Sequence, residues 1–294
     1  NYNTVVGDEA GTAITTGGTN SFFGYSAGDA TTTGNSNTAV GRLSLSTNTT
    51  GSNNTALGTN TLYLATTASY NTAIGGSAGA AVTTGIQNTL IGGLAGDALT
   101  DADYNVAIGY AALGADTLGS RSVAIGWKAL DIQNFTSATT AYNTAVGFEA
   151  GGAVTTGTNN TLIGGLAGDA ITTASNNTAV GYQSLTRATT GANNVAVGAN
   201  ASWGNTTGAN NISVGVTALN ANSTGASNVG IGHQALYTNS TASSNTAVGY
   251  QSLYANTTGT QNTALGANAL DANTTASNNT AVGYDSLGAN TTGA

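Results

Sequence analysis

One glycine returns with a fixed step along this chain. It stands at Gly7, Gly24, Gly41, Gly58, Gly75, Gly92, Gly109 and Gly126, then at Gly147, Gly164, Gly181, Gly198, Gly215, Gly232, Gly249, Gly266 and Gly283. Every step is 17 residues except Gly126 to Gly147, which is 21, so the 294 residues hold seventeen repeats and one four-residue insertion. A fixed short period is the signature of units that cannot bury an apolar face alone and must stack on their neighbours. The low-complexity composition would allow disorder, but disorder gives no reason for the period.

The consensus is N-T-A-V-G-Y-x-A/S-L-x-A-N-T-T-G-x-x. Position 1 is Asn in sixteen copies and Ser122 in the other; position 5 is the invariant Gly. Position 2 is mostly Thr, becoming Val or Ile at Val106, Val123, Val195, Ile212 and Val229, and position 4 is always apolar. Residues two apart share one face of a strand, which predicts positions 2 and 4 as the core side of a short strand. The Gly marks a backbone corner. Positions 13 to 15, Thr-Thr-Gly or Thr-Thr-Ala, read as a turn. Each repeat is therefore expected to run strand, corner, strand, turn.

Positions 9 and 12 compensate each other. Leu at position 9 (Leu45, Leu185, Leu253) goes with a small or polar residue at position 12 (Asn48, Ala188, Asn256). Gly at position 9 (Gly79, Gly96, Gly168) goes with an aliphatic residue at position 12 (Val82, Leu99, Ile171). One core slot per repeat, filled from either of two sites, accounts for the exchange, because packed interiors conserve volume.

The fold class these features predict is all-β, a parallel β-solenoid or β-roll of seventeen 17-residue repeats. One coil per repeat would give a rod of roughly 80 Å, at about 4.8 Å per coil. The Asn at position 1 (Asn3, Asn37, Asn54, Asn71, Asn88, Asn105, Asn143, Asn160, Asn177, Asn194, Asn211, Asn228, Asn245, Asn262 and Asn279) either stacks as an amide ladder or caps a turn; its near invariance favours the ladder. A two-repeat alternation at position 15, Gly against Ala (Ala68, Ala102, Ala242), leaves a 34-residue coil as the alternative, which would halve the rod to roughly 40 Å. Residues 1–126 hold repeats one to eight, 127–142 the end of repeat eight with the insertion, and 143–294 repeats nine to seventeen, in one continuous solenoid. So thin a coil gains by sharing its surface with other copies, and a homotrimeric rod is expected. The chain begins and ends at one phase of the repeat with no polar capping repeat and holds no Met, so an excerpt of a longer array, or end-to-end assembly, is expected.

Composition narrows function. Charged residues are 5% of the chain, the net charge is −8, and Cys is absent. No Cys-based metal site or nucleophile is available, and four cations cannot line a nucleic-acid groove. No run of 18 apolar residues occurs, so no membrane insertion is expected. The single histidine, His233, sits at position 6, a variable surface slot, and Gly230-Ile231-Gly232-His233-Gln234-Ala235 is the repeat itself and not a nucleotide loop. Asp97, Asp101 and Asp103 fit a solvated acidic loop better than a calcium site. No catalytic residue, cofactor or metal is expected. The twelve tyrosines fall only at positions 6, 10 and 17, where exposed rings could stack on sugars or pack between chains. Candidate surface contacts are Trp127, Lys128, Ile132 and Phe135 around the insertion, Trp203, and the position-6 tyrosines Tyr182, Tyr250 and Tyr284.

Ser122-Val123-Ala124-Ile125-Gly126 and Asn194-Val195-Ala196-Val197-Gly198 resemble the head repeat of YadA-type trimeric autotransporter adhesins. Asn245-Thr246-Ala247-Val248-Gly249-Tyr250-Gln251-Ser252-Leu253 is similar to repeats of bacteriophage tail fibres and related surface fibres. The resemblance runs over the whole chain as a repeat pattern, and the adhesin repeat is shorter. It implies a trimeric β-roll on a cell surface or virion. The leading functional expectation is a non-enzymatic structural or adhesive fibre segment, extracellular or virion-attached, with itself and a glycan or cell-surface receptor as partners. The alternatives are a self-assembling filament without ligand and an ice-binding solenoid. The last needs a flat Thr face, and the Val and Ile at position 2 argue that this face is core.

Overall fold

A computed structural model describes residues 1–293. The chain forms two compact units, Asn1–Val146 and Gly147–Ala294. Each is an all-β parallel solenoid, and no helix occurs among the described residues. In the first unit, Thr4–Val6 pairs with Ser21–Phe23 in register Thr4↔Ser21, and the pattern continues to Val123–Ile125. In the second, Thr161–Ile163 pairs with Thr178–Val180 and the ladder runs on to Thr280–Val282. Partners are 17 residues apart, as in Thr178↔Val195, so one coil holds one repeat and the 34-residue coil is excluded.

The coil Asn177–Asn193 shows how the backbone is satisfied. Thr178 N donates to Asn194 O (2.8 Å), Gly181 N to Ile163 O (2.8 Å), Gln183 N to Gly165 O (3.0 Å), Leu185 N to Ala201 O (3.1 Å) and Thr189 N to Thr206 O (2.9 Å). All five bonds run between coils. Only two close turns within the coil: Ser184 N to Gly181 O (3.3 Å) and Ala188 N to Leu185 O (3.1 Å). Secondary structure and stacking are thus one set of bonds. A coil cannot leave the stack without orphaning its amides.

Four expectations need correction. First, the strand faces are reversed. Position 3 points inward (Phe22, Ala39, Leu90, Leu162 and Ala247 are buried), while positions 2 and 4 face out, so that Val6, Phe23, Leu57, Ile163, Ile212, Ile231 and Leu265 are exposed. The interior is narrow: it already holds the buried position-1 Asn and the position-9 Leu. An Ala methyl fits beside them; a column of β-branched side chains does not.

Second, no strand follows the corner. Positions 6 to 11 fold as consecutive turns, with positions 7 and 9 in the left-handed region: Gln183 at φ 54° and Leu185 at 51°, Gln251 at 51° and Leu253 at 49°. Non-glycine residues at such angles cost about 1 kcal/mol or more each, and Leu185 and Leu253 offset theirs with fully buried side chains. The corner itself admits only glycine. Gly181 has φ 136°, and a Cβ there would lie 2.6 Å from Gly198 O in the next coil.

Third, Phe135 is not a surface contact. It is 6% exposed and folds back under the insertion, against Gly119. Here Gly119–Ser120 pairs with Thr139–Thr140, so the four extra residues are absorbed by a short second parallel ladder.

The position-1 asparagines from Asn20 to Asn262 are buried and bonded in two directions. Asn177 N donates to Asn160 Oδ1 (3.0 Å), and Asn194 N to Asn177 Oδ1 (3.0 Å). Asn194 Nδ2 spans the coil to Gly208 O (2.9 Å) and meets Asn177 Oδ1 at 3.2 Å. Asn20 joins the same column in the first unit: its N donates to Asn3 Oδ1, and its Oδ1 accepts from Asn37 N. The second unit adds another amide column at position 12, where Asn239, Asn256 and Asn273 each donate to the Oδ1 of the Asn one coil earlier (2.9–3.0 Å).

Fourth, the core slot is filled from three sites, not two. Position 9 supplies Leu236, Leu253 and Leu270, which pack with Ala247 and Ala264. Where position 9 is Gly, bulk comes from position 12 and also from position 3. A Cβ on Gly28 would lie 2.5 Å from Phe22 Cε2, and one on Gly168 would lie 2.7 Å from Leu162 Cδ2 and 2.9 Å from Ile171 Cδ1.

Candidate interaction surfaces

The side chains that the coil leaves outside its core lie on the outward sheet face, in the position-6 column and around the insertion. Among the described residues, no group of three or more His, Cys, Asp or Glu side chains gathers into a metal-holding cluster, and no helix is long and apolar enough to cross a membrane.

The acidic residues are spread over separate tasks. Asp103 Oδ1 accepts from Ile86 N (2.8 Å), and Asp101 accepts from the Thr84 hydroxyl. Asp97 lies across Gly114 from Asp131, and its carboxyl is held above the usual range by burial and by that neighbouring charge. Asp169, also at position 10, is pushed up to about 6 by burial, with Glu149 nearby adding to the effect.

The first surface is the outward sheet face. In the first unit, position 4 presents Val40, Leu57, Ile74, Ile91, Ile108 and Ile125, beside a position-2 column that turns from Thr to Val at Val106 and Val123. In the second unit, Val195, Ile212 and Val229 stand beside Val197, Val214 and Ile231. Neither column carries a charge. The Val and Ile that seemed to mark position 2 as core therefore mark the most apolar stretches of an uncovered face.

The second surface is the position-6 column just past the glycine corner. Tyr182 is 56% exposed, Tyr250 51% and Tyr284 78%. His233 stacks on Tyr250 (centroids 5.6 Å, 9° between planes), and Tyr237 on Tyr254 at position 10 (5.2 Å, 3°). Gln251 Nε2 donates to Gln234 Oε1 between these pairs (2.7 Å). The stacking follows from the coil rise of about 4.8 Å, which sets like side chains at near ring-stacking distance.

The residues around the insertion do not form one site. Trp127 and Ile132 are exposed, Lys128 is held by Asp131 (3.1 Å) and lies 5.2 Å from the Trp127 ring, and Phe135 is buried. Trp203 belongs to the second unit and lies under Arg187 (4.3 Å). The same region contains a buried polar network that sequence reasoning missed. Asp116 accepts from Gly119 N (3.0 Å), Phe135 N (3.1 Å) and Gln133 Nε2 (2.6 Å); Gln133 Nε2 also donates to Ser122 Oγ (3.1 Å), and Asn143 Nδ2 donates to Gln133 Oε1 (2.8 Å). Burial holds the Asp116 carboxyl above its ordinary range while these donors pull it back. The signal was in the sequence: Ser122, the one break in the Asn column, sits eleven residues before Gln133, whose longer amide fills the gap.

No protein-family model matches the chain, and no curated protein matches it.

Proposed function

We propose that this chain is a non-enzymatic structural and adhesive segment of a fibre, on a cell surface or virion, and that copies assemble through the outward sheet face into a homotrimeric rod. The supporting observation is that face. Positions 2 and 4 present aliphatic and Thr columns with no charge, and no described residue covers them. Extended exposed apolar patches mark association surfaces. A partner that meets such a face at every coil must share its rise of about 4.8 Å, and another copy of this chain does so by construction. Attachment would then come from many weak contacts displayed at regular intervals.

The test is the mass in solution of the 28.5 kDa chain. A species of three chains is expected, and Ile108→Asp together with Ile231→Asp should shift it to single chains that keep their β spectrum. A folded monomer at high concentration sinks the assembly. If that monomer also keeps ice from growing below the melting point, the Thr and Val columns are an ice-binding face instead. The outward placement of position 2 is the observation that keeps that second reading alive.

A further inference from the structure

Twice in the second unit, the position-6 column runs ring, small residue, ring: Phe148, Gly165, Tyr182, and then Tyr250, Ala267, Tyr284. All four rings are exposed, at 53%, 56%, 51% and 78% in chain order. Rings two coils apart are separated by about 9.6 Å along the stack. The residue between them has no side chain, or only a methyl, to fill that space. At the first opening the second ring borders the gap: a Cβ on Gly165 would lie 3.6 Å from Tyr182 Cδ2. A single six-membered ring placed midway would have an aromatic face on each side at about van der Waals distance. A stacked pair one coil apart, such as His233 and Tyr250, leaves no such room.

The neighbouring position 7 repeats a second pattern. In sequence the first opening is flanked by Glu149 and Gln183, the second by Asp285 and Gln251, one carboxylate and one side-chain amide each time; Gln251 Nε2 donates to Gln234, which leaves its Oε1 to accept at the second opening. A carboxylate accepts two hydroxyl protons, and an amide both donates and accepts. Two apolar ring faces with such a rim suit a ligand that is apolar on its flat sides and hydroxylated around its edge. A pyranose has that chemistry. A phosphate or nucleic acid would be repelled by the carboxylate and the net charge of −8.

We infer that these two openings are saccharide-binding slots, each taking one pyranose of a neutral oligosaccharide between its rings. The inference rests on the attachment reading and names the ligand class. Tyr182 and Tyr284 are 102 residues apart, six coils, or about 29 Å, so one unit can hold two residues of a polymer or two branches of a surface glycan.

The test titrates the intact chain with cellohexaose, chitohexaose and maltohexaose, read by calorimetry and by tyrosine fluorescence. Binding of at least one is expected, with two sites per chain. Tyr250→Ala should weaken the second slot about tenfold or more and leave the first unchanged, and Tyr182→Ala should do the reverse. Ala267→Trp removes no aromatic surface and should abolish the second slot by filling it. Far-ultraviolet spectra of the variants show whether the coil is kept. If none of the three sugars binds, or if Tyr250→Ala and Ala267→Trp bind as the parent does, the inference fails. A trimer that binds no sugar loses the slots alone; a sugar-binding monomer keeps the slots and loses the fibre.

Discussion

At the scale of single residues, buried polar groups define this molecule as much as its aliphatic core does. The Asn column was legible because one residue type recurs at one phase. Its geometry was not: the main axial bond is a backbone N–H donating to the Oδ1 of the Asn one coil earlier, with the amide nitrogen turned across the coil. Position alone cannot say which half of an amide points which way. The Gln133 network shows what happens where the column breaks. Because Oε1 must accept from Asn143, Nε2 is left to donate to Asp116 and Ser122, and the amide has one orientation only. Gln133→Ala removes the donor to Asp116 Oδ2 and one acceptor of Asn143 Nδ2, and opens a gap beneath the insertion. A buried group left unsatisfied costs roughly 1–3 kcal/mol, so a loss of about 2 kcal/mol is expected in denaturant unfolding. Gln133→Glu should also destabilise, since it brings a second carboxyl against Asp116. A Gln133→Ala variant as stable as the parent would mean that water replaces the amide fully.

At the scale of the coil, the period and the fold class were readable, and so was the exchange between positions 9 and 12. The inward face was not. In a strand of three residues the alternation offers one residue on one side and two on the other, and hydrophobicity favours the pair; volume decides otherwise, since the space beside a buried Leu takes only an Ala. Position 3 therefore belongs in the compensation, which can be tested in the coil of Phe22 and Gly28. Phe22→Ala leaves a cavity and should cost about 3–5 kcal/mol. Gly28→Leu alone forces a side chain into the Phe22 ring, 2.5 Å from where its Cβ would start, and should also destabilise. The double variant recreates the Ala39, Leu45 arrangement of the next coil, where both residues are fully buried. It should recover most of the loss, giving a favourable coupling of about 2 kcal/mol or more in a double-mutant cycle. Additive losses would show that positions 3 and 9 do not share a slot. The position-6 pattern was equally visible in sequence, but its meaning waited on the coil rise, which turns a spacing of 34 residues into a gap wide enough for one ring.

At the scale of the whole molecule, most backbone bonds within each unit are axial, and they join a coil only to its neighbours. Such a chain behaves as a row of linked units whose stability is the sum of local and nearest-neighbour contributions, and it need not unfold in one step. The same regularity that spaces the apolar columns and the aromatic slots is therefore maintained locally, coil by coil. A lesion in the second unit should show this. Leu236→Ala removes a fully buried side chain from the cluster it forms with Leu219, Leu253 and Ala247, at about 2–5 kcal/mol. Amide hydrogen exchange should then accelerate most at Val229–Ile231 and Thr246–Val248, fall away with each coil of distance, and stay near its original rate at Thr161–Ile163, four coils before Val229–Ile231. Uniform acceleration across the unit would instead mean that its coils open together, with the axial bonds acting as one cooperative block. The two outcomes bear on binding. If opening is local, a worn or mismatched coil disables only the surface it carries, and a slot several coils away keeps its geometry.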